Sequence, residues 1–132
     1  MTPEQHARGD EGEKEILRRL QYPGGWGGFT LIKDVRVEGC GYDFLCSKGG
    51  REVRLEVKTF IRSGRLIITG KELQVALETK DDYYLIGVVD DGGPAPQWQT
   101  YCMPNPAPRL LKDGEFEIEA KLTVRAESIF DL

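Results

Sequence analysis

Residues 41–58, GYDFLCSKGGREVRLEVK, read as two β-strands joined by a tight turn. Gly49 and Gly50 separate two runs in which apolar and polar residues alternate, and Gly-Gly between such runs is a signal for a two-residue hairpin. With this turn Lys48 pairs with Arg51, and the numbers of opposed residues sum to 99. We therefore predict antiparallel strands at about 41–47 and 51–58.

The two faces of this hairpin differ in chemistry. The apolar face, which we expect to pack on the core, carries six side chains: Tyr42, Phe44, Cys46, Val53, Leu55 and Val57. On the other face Asp43 is expected opposite Glu56, with Cβ atoms about 4.5–5.5 Å apart. Lys58 follows Glu56 on that face, across from Gly41, which has no side chain. Two opposed carboxylates cost stability unless something neutralises them.

Two explanations for the opposed acids stay open at this point. A divalent cation between Asp43 and Glu56 would relieve their repulsion, and oxygen ligands without His or Cys suit Mg²⁺ or Mn²⁺ better than zinc. The alternative is a surface ladder in which the two acids pair with Arg54 and Lys58. The pattern alone does not separate these explanations, because ion-pair networks also cluster charges.

Composition limits the kinds of protein to which this chain can belong. The chain has 132 residues, of which 39% are hydrophobic and 30% charged, which fits one soluble domain. No stretch approaches the roughly 18 apolar residues of a membrane helix, and the first residues lack the apolar core of a signal peptide. We therefore expect a cytoplasmic protein that makes no contact with membranes.

The cysteine and histidine content excludes several kinds of site. Cys40, Cys46 and Cys102 are odd in number and form no C-x-x-C pair, which argues against a disulfide framework and a structural zinc site. His6 is the only histidine, so mechanisms built on paired histidines are excluded. Although the net charge is -4, residues 48–71 hold seven basic and two acidic residues, a local excess of +5. Such a segment can contact phosphates, or it can be a solvated charged face.

The order of predicted elements indicates an α/β fold, a mixed central β-sheet flanked by helices in a single domain, residues 1–132. One helix start is specific, because Thr69 with Glu72 three residues later matches a capping box. The predicted elements are a helix at 4–20, strands at 29–37, 41–47, 51–58 and 65–69, a helix to about 79, strands at 83–90 and 97–103, an irregular connector at 104–114, and a tail at 115–132 with strand-like alternation.

Asp43, followed thirteen residues later by Glu56-Val57-Lys58, resembles the PD-(D/E)xK nuclease core, a superfamily that includes type II restriction enzymes, Mrr-like enzymes and Holliday junction resolvases. In that core an Asp begins one strand, Glu-x-Lys lies on the next, and a preceding helix often adds a Glu. Here Glu13, after Gly12, matches that position, whereas Tyr42 stands where the superfamily name has Pro.

The chain more closely resembles the Protein NO VEIN C-terminal domain family. The resemblance runs from about residue 9 to 90 and rests on GDEGE (9–13), GYDF (41–44), RLEVKT (54–59), ITGKEL (68–73) with Ala76, and YYLIGVV (83–89). It implies a restriction-endonuclease-like fold whose core is about 9–90, with extra strands and a tail at 91–132.

The resemblance also implies a site. Asp43, Glu56 and the carbonyl of Val57 would hold Mg²⁺ or Mn²⁺, Lys58 would orient a water or stabilise the charge on phosphate, and Glu13 would complete the metal shell. Candidates for DNA contacts are Arg54, Arg62, Arg65, Lys71 and Gln74.

Simpler roles stay open for three of the polar residues. Glu13 could be a first-turn acid that favours the helix dipole. Glu72 could serve only as the capping residue, and Lys71 could be solvent-exposed.

The functions that follow differ in class. The leading prediction is a metal-dependent DNA endonuclease in genome defence, restriction or repair. The alternative is a DNA- or protein-binding module with a nuclease-like fold and no catalysis. A third is a small acidic interaction protein, which would not need two opposed carboxylates. A chain this short has little room for a recognition domain, so we expect a homodimer or a partner subunit that supplies specificity.

Overall fold

The computed structural model describes residues 3–116 and 125–130. It contains four helices and five strands within these residues: α1 (Pro3–Leu20), β1 (Thr30–Asp34), β2 (Phe44–Lys48), β3 (Arg51–Phe60), α2 (Gly70–Thr79), β4 (Tyr83–Val89), β5 (Gln99–Pro104), α3 (Ala107–Asp113) and α4 (Ala126–Ile129). The strands form one sheet in the order β1-β2-β3-β4-β5. All neighbours are antiparallel except β3 and β4, which are parallel. The predicted α/β fold with a mixed sheet is therefore confirmed.

The hairpin register is the predicted one over five pairs, from Lys48 opposite Arg51 to Phe44 opposite Leu55. The ladder ends there. Asp43 does not continue it as the cross-strand partner of Glu56, because the chain bends at Asp43, and the backbone N–H of Asp43 donates to the carbonyl of Leu55. The predicted strand start at 41 is thus wrong by three residues, although Asp43 still lies at the end of the hairpin.

Helices cover both faces of the sheet. On one face α1 packs over β3, and its Ile16 and Leu20 join the larger core cluster. On the other face α2 contributes Val75 and Ala76, which pack with Tyr83 of β4 in a smaller cluster. The larger cluster also includes Phe44, Cys46, Val53, Leu55, Val57, Ile86 and Val88. Since the second half of β3 lies mid-sheet between these layers, its polar residues Glu56 and Lys58 are largely enclosed.

Tyr42 is a second correction within the hairpin. It packs against the α2-side cluster, and the guanidinium of Arg54 lies 5.6 Å from the centre of its ring. Tyr42 therefore lies on the side of Arg54 and not with Phe44 and Leu55. The reason is the bend before β2, which breaks the alternation on which the prediction relied.

The other differences concern short elements. Residues 65–69 form no strand, and 104–114 is not irregular, since α3 occupies most of it. Pro106 and Pro108 are compatible with that helix because its first turn needs no backbone N–H donors. Beyond residue 91 the described residues hold one strand, β5, and residues 117–124 and 131–132 of the alternating tail lie outside the described residues. No helix of the described chain has the length and apolarity needed to cross a membrane.

Candidate active site

Asp43 is fixed in place by three hydrogen bonds that involve its own backbone and side chain. Its N–H donates to the carbonyl of Leu55 at 2.8 Å, and its carbonyl accepts from the N–H of Val35 at 2.9 Å. Its carboxylate Oδ2 accepts from the N–H of Val57 at 2.8 Å. Burial raises the pKa of Asp43, although the bond from Val57 opposes that rise. A carboxylate held in this way is preorganised at the end of the hairpin.

Gly41 explains how the chain reaches this position. Its φ of +89° lies in the left-handed region, and a Cβ there would come within 2.7 Å of Val75 Cγ2 on α2. The Tyr83 hydroxyl donates to the Gly41 carbonyl at 2.8 Å. The segment before Asp43 is therefore pressed against α2 and tied to β4, which aims the Asp43 carboxylate at β3.

Glu56 lies beside Asp43 and is almost completely buried, with 4% of its surface exposed. Burial, and then the negative charges of Asp43 and Glu72, raise the pKa of Glu56 to about 10. Burial and the neighbouring negative charges therefore favour the protonated form of Glu56 when no cation is present. The alternative of an ion-pair ladder is borne out in part, because Glu56 pairs with Lys58 at 3.3 Å, although Glu56 is buried and Arg54 stacks on Tyr42.

Lys58 connects Glu56 to α2. Its Nζ lies 3.3 Å from Glu56 Oε2 and 2.7 Å from Glu72 Oε1. Burial lowers the pKa of Lys58, but the two carboxylates outweigh burial and the net shift is upward. Lys58 is therefore a charged ammonium group in contact with two acids.

Glu72 has two roles at once, of which the sequence indicated the first. Its Oε1 accepts from the Thr69 backbone N–H at 2.9 Å, which completes the predicted capping box, and the same oxygen accepts from Lys58. Burial raises the pKa of Glu72, but the bonds from Lys58 and Thr69 outweigh burial and lower it overall. No sequence pattern indicated the second role, because the contact with Lys58 depends on where α2 crosses the sheet.

Glu13 approaches from α1 on the opposite face of the sheet. Burial, and then the charge of Asp43, raise the pKa of Glu13 to about 7, and the two side chains are hydrogen-bonded. The close approach depends on Gly12, where a Cβ would lie 1.8 Å from Oγ1 of Thr59 on β3. The GDEGE segment thus combines a glycine that lets α1 touch β3 with an acid that reaches Asp43.

These side chains line the floor of a cleft of about 940 Å³ between the first half of α1 and the loop 61–69. They are the four acids Glu13, Asp43, Glu56 and Glu72, together with Lys58. Thr59 also lines the cleft, and its Oγ1 is the buried side-chain oxygen that has no hydrogen-bond partner among the described residues. The predicted catalytic residues are therefore all brought together at one place.

The predicted DNA-contact residues are not brought together in the same way. Arg65 lines the cleft, and Arg62 lines an adjoining pocket, where its guanidinium is bonded to side chains of β5. Arg54 stacks on Tyr42, Lys71 is exposed on the first turn of α2, and Gln74 donates to Glu78 at 3.1 Å. The last three are not lining residues of the cleft.

Arg8 is a cleft residue that sequence reasoning missed. It lies on α1 and lines both the cleft and the adjoining pocket. Its Nε is 3.2 Å from Oδ2 of the buried Asp90, at the end of β4. No local pattern marks Arg8, because its proximity to Asp90 depends on how α1 crosses the sheet.

The donor set fits a hard divalent cation. Asp43 and Glu56 both line the cleft, and the negative charge of Asp43 raises the pKa of Glu56, so a positive charge between them would relieve repulsion. Within residues 3–116 and 125–130, no three or more His, Cys, Asp and Glu side chains are grouped so as to form a metal cage. Mg²⁺ requires no such cage, because it usually keeps several waters and takes one or two carboxylates with substrate phosphate.

Comparison with known proteins gives one match. The family described as Protein NO VEIN, C-terminal, matches residues 15–101, which include Asp43, Glu56, Lys58 and Glu72. Glu13 lies two residues before the matched region. No curated protein and no solved structure matches the chain. Because the match covers well over half of the sequence, the chain belongs to the Protein NO VEIN C-terminal family.

Proposed function

We propose that the chain is a metal-dependent DNA endonuclease domain of the PD-(D/E)xK type, which acts in genome defence, restriction or repair. The observation that carries the proposal is that Asp43, Glu56 and Lys58 line the floor of one cleft, with the Lys58 ammonium 3.3 Å from Glu56. A scaffold gains nothing from burying two acids against each other, whereas a phosphodiesterase needs this set of groups.

Each residue has a role that its position allows. Asp43, Glu56 and the Val57 carbonyl would hold the Mg²⁺ or Mn²⁺ ion, which when bound polarises the scissile phosphate and lowers the pKa of a water. Lys58 donates hydrogen bonds to the phosphate oxygens as their charge grows. Glu13 orients Asp43 through their hydrogen bond. In the reaction the water gives up a proton to solvent and its oxygen forms a bond to phosphorus, while the bond to the leaving sugar oxygen breaks and that oxygen takes up a proton from solvent.

Plasmid cleavage in Mg²⁺ or Mn²⁺ tests this proposal. We expect the native chain to nick supercoiled DNA, and Asp43→Ala and Lys58→Ala each to lose about 100-fold or more in rate, as removal of a transition-state contact does. Glu52→Gln is the matched control, because Glu52 is an exposed acid of the same strand. Activity that survives both site changes would refute the assignment.

A binding module without catalysis is the second candidate, and one contact favours it. The Lys58 ammonium is 2.7 Å from Glu72, so it faces a protein carboxylate instead of open space. This candidate predicts strong, salt-dependent DNA binding with no cleavage in any divalent metal.

The proposal includes a second subunit, either a copy of this chain or a partner that supplies specificity. It rests on size, since one small domain offers few contacts beyond the cleft. Light scattering tests it, and a monomer that cleaves DNA alone would count against it.

A further inference from the structure

The loop 61–69 presents apolar side chains to the same cleft whose floor carries the acids. Ile61, Leu66 and Ile67 line the cleft, and all three side chains are exposed to solvent. For Ile67, 66% of the residue surface is exposed. Phe60, the last residue of β3, also lines it. One wall is therefore apolar, whereas the floor is strongly polar.

Phe60 lies on the same face of β3 as Lys58, two residues further along the strand, which corresponds to roughly 7 Å. Its ring packs over Gly87 of β4, where a Cβ would meet Phe60 Cε1 at 2.9 Å. The missing side chain at Gly87 thus leaves room for the ring beside the acidic floor. A base and its own phosphate span a comparable distance, so a nucleotide could contact Phe60 and Lys58 at once.

The depth of the floor restricts which DNA can reach it. Glu56 is 4% exposed and the Lys58 side chain 19% exposed, so a phosphate must enter the cleft to contact them. A volume of about 940 Å³ lies at the upper end of the roughly 300–1,000 Å³ of pockets that enclose small ligands. A cleft of this size admits one or two nucleotides. A stacked, paired duplex is a rigid rod that is too wide to enter, so its backbone stays outside the cleft.

Only the basic side chains of the cleft can attract an anionic ligand. Arg8 and Arg65 lie at the cleft, and the Arg65 side chain is largely exposed beside a weak ion pair to Glu115 at 3.5 Å. The floor acids would repel phosphate without a divalent cation. Binding through this cleft is therefore expected to require such a cation, unlike binding to a basic surface patch.

We propose that the cleft binds an unpaired nucleotide, so that the substrate is single-stranded DNA or a DNA strand whose bases have left the duplex stack, with the base packed on the apolar wall and its phosphate on the acidic floor. This inference rests on the proposed function for the phosphate position. Apolar and aromatic side chains that hold unstacked bases do so without reading sequence. The loop 61–69 then sets the DNA form that is accepted rather than the sequence.

Fluorescence anisotropy with a labelled 12-nucleotide strand and the matching duplex tests the inference. With Ca²⁺ in place of Mg²⁺ to slow hydrolysis, we expect the single strand to bind at least tenfold more tightly than the duplex, and binding to be lost in a chelator. Ile67→Ser should weaken single-strand binding about fivefold, as expected for the loss of one partly buried aliphatic contact. Ile32→Ser is the matched control, because Ile32 is 50% exposed on β1 and is not a cleft residue.

The outcomes separate this inference from the proposed function. Duplex binding as tight as single-strand binding, equal effects of the two serine variants, or no binding of either DNA would overturn the inference. Single-strand preference together with the Ile67 effect, but no cleavage in Mg²⁺ or Mn²⁺, would support the inference and contradict the endonuclease. Cleavage that is fastest on duplex DNA would support the endonuclease and contradict the inference.

Discussion

At the scale of single residues, the site is a balance of four acids against few cations. Asp43 links both faces of the sheet, since it contacts Glu56 on one side and Glu13 from α1 on the other. The hairpin pattern predicted Asp43, Glu56 and Lys58, whereas Glu13 was implied by the resemblance to the PD-(D/E)xK core. The sequence could not predict that Glu72 also contacts Lys58, since that contact depends on where α2 crosses the sheet.

The raised pKa of Glu13 predicts a change of stability with pH. The native state holds a proton on Glu13 up to about pH 7, whereas the unfolded chain releases it near the ordinary value of 4.5. The stability from this proton is fully present below pH 4.5 and is lost as the pH rises through 7. Glu13→Gln should therefore become more stable than the native chain between pH 5 and 8, measured by urea unfolding in chelator. Glu11→Gln, which removes a charge from the same turn, is the control, and an equal pH trend in both variants would contradict the assignment.

The double role of Glu72 predicts that charge and capping can be separated. Glu72→Gln keeps an oxygen that can accept from the Thr69 N–H but removes the charge beside Lys58, so we expect DNA cleavage to fall about tenfold or more with a small loss of stability. Thr69→Ala removes the other half of the cap and should cost about 0.5–2 kcal/mol of unfolding free energy while cleavage is largely kept. Plasmid nicking and urea unfolding of both variants test this, and the opposite pattern would limit Glu72 to capping.

At the scale of elements, sequence patterns predicted the features that depend on residues close together in the chain. The Gly49-Gly50 turn fixed the register of β2 and β3, and the capping box fixed the start of α2. The predicted strand at 65–69 was wrong because a short apolar run forms a strand only if a neighbour pairs with it, and here the run lines a cleft. The position of Asp43 was predicted only approximately, because the bend before β2 follows from Gly41 pressing on α2.

The contact between α1 and β3 yields a prediction at this scale. Gly12→Ala would place a methyl group 1.8 Å from Thr59 Oγ1, so α1 or the Thr59 side chain must shift, at a cost of about 1–3 kcal/mol. Gly9→Ala is the matched control on the same helix, because a Cβ there meets nothing within 4 Å, and it should stabilise by about 0.5–1 kcal/mol. Chemical denaturation followed by circular dichroism measures both changes. Equal effects of the two substitutions would show that the close approach of α1 is not needed.

At the scale of the whole molecule, the basic excess of residues 48–71 does not form one surface. Arg51 pairs with Asp82 at 2.8 Å, Lys48 lies over the ring of Phe29, and Lys58 is enclosed in the site. The number of these charges follows from the sequence, but their positions do not, because the strands and loops that carry them face different sides of the molecule. What the fold concentrates instead is acid, on the floor of a cleft between α1 and the loop 61–69.

The central claim is that Asp43 and Glu56 hold a divalent cation, and a crystal soaked in Mn²⁺ and measured for anomalous scattering tests it most directly. We predict a peak about 2.1 Å from one carboxylate oxygen of each acid, and its absence from a crystal of Asp43→Asn soaked in the same way. A map without a peak at this position, in which Glu56 still contacts Asp43 and Lys58 as it does without metal, would contradict the claim.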